Sequence, residues 1–365
     1  MRSPLDLLAE LHLSYTNYVL GFCGALTVLL AFGLPMIELQ TDFQASLPDD
    51  IPAVQAQDKV EANFGSPDSF IVLFETSDEP VEDSYVTDVR DPRLIRSMTF
   101  LSDELTSEPL VRSTNSMASL FDGIPESKDA VKQRLASSGV ELTNRDYTAT
   151  TMFVQLSEDL TEDNIREASA LIEENLEETP KYPGVDIQQT GVPVIRNTLA
   201  SVLITDTLLI IAVASAFILG LLCITRGIIY GTATFLPLLI GLVWSLGAIG
   251  LLGIPMTIAT ISIGSMLLGL GVEYGSFIGE RIVEEMNEQG IDAGVREAVP
   301  NTGSAILGSS VTDLVGFLAL LLASISFVQD FGLPLALGEA LTLTAALFLT
   351  PALIVKYERY RESPS

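Results

Sequence analysis

Histidine occurs once in this sequence and cysteine twice. His12 stands just before the first apolar run, with no second ligand type near it. Cys23 and Cys223 both lie in apolar segments and read as small apolar fillers. They form no disulfide framework and no paired-cysteine motif. No nucleophile–base constellation, metal-ligand cluster or phosphate-binding loop is present. We therefore expect no metal, no cofactor and no enzymatic activity. Basic residues are scarce as well, with 19 Lys and Arg against 47 Asp and Glu and a net charge of −28. That balance argues against a nucleic-acid partner.

Apolar sequence is abundant, at 48% of residues. Charge and hydropathy coexist because the charge lies outside long apolar runs. Glu38 to Asn197 holds 32 Asp and Glu against 12 Lys and Arg. The acid-rich, lysine-poor composition points to a halophile; the plainer alternative is an acidic domain in an ordinary cell. Six runs reach the length of about 20 residues that spans a bilayer as helix. They are Tyr18–Ile37, Leu199–Ile224, Gly227–Leu252, Ile254–Gly279, Gly303–Phe327 and Leu333–Val355. The first is too long for a signal-peptide core and lacks a small-residue cleavage site, so it reads as an uncleaved span.

An even number of spans puts both termini on one side. Arg226, Arg281, Arg296, Lys356, Arg359 and Arg361 fall on that side too, which makes it cytoplasmic by the positive-inside rule. The expected organisation is a cytoplasmic segment 1–16, span one at 17–37, an outer domain at 38–198, spans two to six at 199–355, and a cytoplasmic tail at 356–365. Segment 280–300 reads as an interfacial amphipathic helix with Ile282, Val283 and Met286 toward lipid. In the outer domain, strands are expected at 68–76, 110–117, 148–158 and 184–191, and helices at 91–105 and 161–178. Asp91 before Pro92 reads as a helix start. The order strand, helix, strand, strand, helix, strand fits a ferredoxin-like split βαβ unit. The fold class is thus an α-helical membrane protein with six transmembrane helices plus an extracytoplasmic α+β domain between spans one and two.

Glu273 interrupts the fourth run, and a carboxylate in hydrocarbon is costly. Gly271, Gly275 and Gly279 form a ridge at four-residue spacing that lets another helix approach closely. Glu273 and Ser276 line a neighbouring face, so Glu273 is expected to point into the bundle. Asp313 of the fifth run lies about one helical turn away in depth, so one polar pocket could hold Glu273, Asp313, Thr312, Tyr274 and Ser276. Burial disfavours a charged carboxylate, and a second acid nearby disfavours it further. Such a pair suits a proton relay near neutral pH. Two carboxylates with hydroxyl oxygens also suit Na⁺, the alternative coupling ion. Asp206 and Glu339 read as lying nearer the outer surface, where they could line an access path. For each acid the plainer reading is a hydrogen-bonded helix contact with no transport cycle.

Several stretches, in this order, resemble a known family. "TDFQASLPDDIP" (41–52) followed by "VEANFGSPDSFIVLFE" (60–75) is similar to the start of the porter segment in lipid exporters of the MMPL branch. "TGVPVIRNTL" (190–199) is similar to the joint entering span two. "GLGVEYGSFIGERIVEEMNEQG" (269–290) resembles the fourth span, where the family has Asp in place of Glu273. "EAVPNTGSAILGSSVTDLVGFLALLLAS" (297–324) resembles the fifth, where the family has Thr in place of Asp313. The chain resembles one six-span half of a resistance-nodulation-division (RND) transporter, of the MMPL or archaeal hydrophobe/amphiphile efflux type. The resemblance implies a porter-type outer domain and ion-driven export of hydrophobic or amphiphilic molecules such as lipids. It assigns the relay to the acid of span four, with Tyr274 supporting it. Family members carry two such halves. One half therefore implies a homodimer, a separately encoded partner half, or a longer parent chain. The alternatives are a SecDF-like protein-export accessory and a non-transporting lipid- or sterol-sensing scaffold.

Overall fold

A computed structural model describes residues 3–40, 51–52, 54–56, 59, 69–76, 84–139, 142–157, 162–257 and 260–362. The motif at 41–52 and the first part of that at 60–75 lie almost wholly outside the described residues. The chain divides into two compact units, one formed by residues 1–49 and 202–365, the other by residues 50–201.

The second unit is built on four strands: β2 (Phe70–Thr76), β3 (Val111–Asn115), β4 (Ala149–Leu156) and β5 (Val185–Thr190). They form one antiparallel sheet in the order β3-β4-β2-β5. Strand β2 is central, with Phe70 opposite Val154 and Phe74 opposite Ile187. Its alternation puts Phe70, Val72 and Phe74 on one face, where they are fully buried with Met152 and Val154. Helix α3 (Pro92–Thr106) adds Leu94, Ile95, Met98, Leu101 and Leu105 to this core, and α5 (Glu162–Glu178) adds Ile165, Ala168 and Ile172. Helix α3 starts where its sequence directs. The Asp91 side chain accepts from the Arg93 amide, and Pro92 occupies the first turn. Helix α4 (Lys128–Ser138) was not expected, because its one buried residue, Val131, gives no apolar period to read.

The first unit is helical. Helices α1 (Pro4–Ser14), α2 (Thr16–Ala31), α6 (Val192–Leu251), α7 (Ile263–Gln289), α8 (Ile291–Ala319) and α9 (Ser326–Glu362) follow in order. A two-residue parallel bridge joins β1 (Leu39–Gln40) to β6 (Met256–Thr257). Among the described residues, five helical stretches are long and apolar enough to cross a membrane: Thr16–Met36, Val192–Leu251, Thr260–Gln289, Ile291–Leu322 and Ser326–Glu362. Helix α6 is not straight. Gly227 has φ 79° and ψ 161°, outside helical space. A Cβ on Gly231 would sit 2.9 Å from the Cys223 amide nitrogen. Eight residues of straight helix would separate those positions by about 12 Å, so the chain reverses at Gly227 into two limbs.

Residues 280–300 do not form a separate interfacial helix. Residues 280–289 extend α7, Gly290 breaks the helix with φ 87°, and 291–300 open α8. Ile282, expected toward lipid, is fully buried with Val295, Ala298 and Val299. The period of this stretch was legible, but the hairpin geometry that pairs its two apolar faces was not. Trp244 is likewise buried, and its indole N–H donates to Thr27 Oγ1 at 2.8 Å.

Helix α1 docks on α8 and α9. Ser3 and Asp6 close its start as a reciprocal cap. Arg359 donates to the Leu13 carbonyl at 2.6 Å, and Arg296 pairs with Glu10 at 3.3 Å. His12 is fully buried, with Nε2 3.1 Å from the Leu347 carbonyl and Nδ1 without a protein partner. Burial pulls its pKa from the ordinary 6.5 down to about 4. A depressed histidine is neutral when folded, so the unfolded state binds the extra proton between these values. Stability is therefore fully present above about pH 6.5 and falls as pH drops toward 4, by a total of about 3 kcal/mol. Hydrogen exchange of residues 4–14 at neutral pH and near pH 4.5 should show α1 loosening at the lower pH. In His12→Leu that difference should largely vanish; an unchanged difference would remove His12 as its cause.

Candidate functional site

The site is organised by the glycine ridge of α7. A Cβ on Gly271 would fall 2.3 Å from Thr342 Cγ2 and 2.6 Å from Leu238 Cδ1. On Gly275 it would fall 3.0 Å from the Thr234 carbonyl, and on Gly279 3.1 Å from Thr234 Oγ1. The ridge therefore seats the second limb of α6 and helix α9 of the same chain. The glycines are thus covered from within the chain, without a second half. Spacing marks a face for close approach, but not which helix fills it.

The ridge also decides where the acids point. At 100° per residue, position 273 lies about 200° from both 271 and 275. Burying the glycines thus turns Glu273 outward, and it is exposed. This corrects the expectation that Glu273 points into the bundle. Tyr274 lies beside the ridge and is only 4% exposed. Its hydroxyl donates to Oε1 of Glu339 on α9.

Glu339 is the sealed acid, with 0% exposure, and its Oε2 has no protein hydrogen-bond partner. It lies 13 residues into α9, about 20 Å along the helix. The expectation was a place nearer the outer surface on an access path; what the structure shows is complete burial within the helical unit. Its place follows from neighbours that sequence reasoning did not assemble. Ser245, fully buried on the second limb of α6, donates to the Gly241 carbonyl at 2.7 Å and to the Gly338 carbonyl at 3.1 Å. Thr342 also donates to the Gly338 carbonyl, at 2.7 Å. The signal that could have found this centre was Glu339 followed by Thr342, one helical turn of polar residues inside an apolar run.

Glu273 stands between two grooves. One, of about 430 Å³, lies against α8 and includes Phe277, Thr302, Ile306 and Ser309. The other, of about 340 Å³, lies against the first limb of α6 and includes Phe217, Leu221, Val272 and Ser276. The Ser276 carbonyl accepts from Arg226 at 2.7 Å, and Arg226 also bridges to Glu280 at 2.9 Å. Glu273 remains within electrostatic reach of Glu339 across the helix. Asp313 and Thr312 line neither groove. Asp313 is half-buried, and Thr312 is exposed with its hydroxyl 3.3 Å from the Gly308 carbonyl. Asp206 is exposed on the first limb of α6. The structure thus brings together Tyr274 and Glu339, with Glu273 and Ser276 on the adjoining rim. Among the described residues, no group of three or more His, Cys, Asp and Glu could hold a metal ion.

Known proteins resemble this chain over much of its length. The profile of the MMPL family matches residues 45–363. A membrane protein of Methanocaldococcus jannaschii is 32% identical over 346 residues, covering 92% of this chain and 89% of the relative. A trehalose monomycolate exporter, MmpL3 of Mycobacterium leprae, is 31% identical over 47% of this chain and 18% of its own. A SecDF protein translocase subunit of Brucella abortus is 27% identical over 45% of this chain and 22% of its own. The chain thus aligns with nearly the whole of the first relative and about a fifth of each of the other two.

The geometry makes different demands on Tyr274 and Glu273. Tyr274→Phe removes the hydrogen bond to a fully buried carboxyl group and should cost about 1–3 kcal/mol. Glu273→Gln alters an exposed side chain and should stay within about 0.5 kcal/mol. Thermal unfolding of both variants in nanodiscs checks this; equal midpoints would mean that the Tyr274–Glu339 contact does not hold the bundle.

Proposed function

Because this chain belongs to the MMPL family, within the RND superfamily of multi-pass membrane proteins, we propose that it is one half of a proton-coupled exporter of hydrophobic or amphiphilic molecules. The observation that carries the reading is the sealed Glu339–Tyr274 pair with Glu273 on the adjoining rim. A carboxyl group with one bare oxygen inside an apolar bundle costs free energy and contributes little packing. A group that must gain and lose a proton during a cycle accounts for that cost. In this reading Glu339 is the central relay, Tyr274 holds its orientation, and Glu273 at the groove is its exchange partner. Asp313 with Thr312, and Asp206, are candidates for an access path, and Na⁺ is the alternative coupling ion.

The finer architecture belongs to the same proposal. The reversal at Gly227 supports counting α6 as two spans, which gives six in all. The sheet order with two helices on one face supports a ferredoxin-like, porter-type domain for residues 38–198. The arginines of the short loops support cytoplasmic termini and an outer location for that domain. Its acid excess supports a high-salt setting. The MmpL3 relative is named as a trehalose monomycolate exporter, which supports an amphiphile as one cargo class. The SecDF relative favours a second reading, assistance to protein export by the same ion-coupled core.

A single half fits a twofold dimer, a separately encoded second six-span half, or a place in a longer chain. The two grooves beside the exposed Glu273 and Phe277 supply an apolar face for such an assembly. Native mass spectrometry in lipid nanodiscs should give twice the chain mass, or the chain plus a partner half; a lone chain active in transport would refute the assembly.

The functional experiment is flux of a fluorescent amphiphile from proteoliposomes under an imposed proton gradient. Glu339→Gln keeps size but cannot ionise, and should reduce coupled flux to background. Glu273→Gln should slow it, and Glu273→Asp should retain most of it. Asp313→Thr should leave it largely intact. Wild-type flux in Glu339→Gln would end the relay assignment. Flux that follows a sodium gradient and ignores pH would keep the site and change the ion.

A further inference from the structure

We propose that the cavity between the α1–α2 joint and the last turns of α9 binds the phosphate headgroup of an anionic phospholipid. The cavity measures about 400 Å³ and includes Ser14, Tyr15, Asn17, Tyr18, Lys356 and Arg359 in its lining. It shares no residue with the grooves beside Glu273, so it is separate from the site proposed for coupling.

Four observations converge on this cavity. The first is charge. Lys356 is the only lysine after Lys181 in a chain of net charge −28. Its ammonium donates to the neutral Asn17 Oδ1 at 2.5 Å, and it has no carboxylate partner among the described residues. Arg359 spends one nitrogen on the Leu13 carbonyl and approaches Asp292 at 3.4 Å, a long contact between exposed side chains. Lys356 thus keeps its charge unmatched among the described residues, beside an Arg359 that shares its own with Asp292. The second is the backbone. Helix α2 begins in the cavity lining with no side-chain cap, so its first amides lack side-chain partners there, beside the carbonyl end of α1 that Arg359 caps.

The third observation is the rim. Tyr15, Tyr18 and Tyr360 are 58%, 78% and 81% exposed, and exposed tyrosines at helix ends suit headgroup depth. The fourth is the surface leading away. Tyr18, Phe22, Val28 and Leu29 of α2 are all exposed, an apolar track for acyl chains running from the cavity down the helix. A soluble phosphate would use the cations alone, whereas a phospholipid would use the cations, the aromatic rim and the track. Basic pockets between helices at one membrane face bind anionic headgroups in this way.

The test uses the whole chain in phosphatidylcholine nanodiscs doped with phosphatidylglycerol, with retained lipid counted by native mass spectrometry. Wild type should retain phosphatidylglycerol over phosphatidylcholine and saturate as its fraction rises. Lys356→Gln should lower that retention about fivefold, the effect of one basic side chain near an anionic surface. Lys356→Arg should restore it, and Arg296→Gln, which removes a cation paired with Glu10, should leave it unchanged. Equal retention in wild type and Lys356→Gln overturns the proposal. So does an equal loss in Arg296→Gln, which would indicate diffuse charge rather than a site. Displacement by millimolar inorganic phosphate overturns the lipid assignment. If Lys356→Gln does not fold, the wild-type titration decides: saturation supports the site, and retention merely proportional to lipid fraction overturns it.

Discussion

The close approach of three helices at Gly271, Gly275 and Gly279 is the constraint from which the rest of the bundle follows. In hydrocarbon, helices gain little from burying apolar side chains against one another, because lipid is equally apolar. What they can gain is van der Waals contact between backbones and small residues. The ridge supplies that contact to the second limb of α6 through Thr234 and Leu238, and to α9 through Thr342 and Thr350. Once the ridge is inside, helical geometry leaves no freedom to its neighbours. Position 274 must lie near the seam and position 273 must face away. The tyrosine becomes the buried partner of an acid on α9, and the acid beside it becomes the rim of two grooves.

That reasoning shows how much of the site was legible and why the remainder was not. Each ingredient was visible in the sequence: a glycine ridge, an acid and a tyrosine in span four, and acids in spans two, five and six. The strands at 70–76 and 149–156 were legible too, because alternation with period two survives in an isolated segment. So was the cap of α3, since Asp91 and Pro92 act locally. The pairing of α7 with α9 was not legible, because close-approach faces on several helices are interchangeable until the tertiary fold selects among them. The burial of Glu339 was not legible for a related reason. The sequence marks where apolar character begins and ends but not where α9 starts, and α9 starts at Ser326, seven residues before the apolar run suggested.

The seam along α9 is polar for much of its length yet almost entirely self-satisfied. Thr342 and Ser245 return their hydroxyls to carbonyls one turn back, and Thr234 does the same to Tyr230 at 2.8 Å. Glu358, also buried, accepts from Tyr230 at 2.6 Å and pairs with Arg361 at 2.7 Å. Along α9, the buried side-chain oxygens that keep no protein partner among the described residues are Glu339 Oε2 and Thr350 Oγ1. A seam in which nearly every polar group is matched makes an unmatched one informative, because matching it would have been a small change in sequence.

The two acids that meet across α7 differ in what water can do for them. Glu273 is exposed at the grooves, and whatever fills those grooves sets its surroundings. Glu339 depends on Tyr274 and on nothing else described. The contrast needs no movement of the helices, only a change in what occupies the grooves. A bound amphiphile, a partner helix or water would each alter it differently. The glycine ridge thus does more than pack three helices: it fixes two carboxyl groups on opposite sides of one helix, near enough to sense each other and unequally open to the outside.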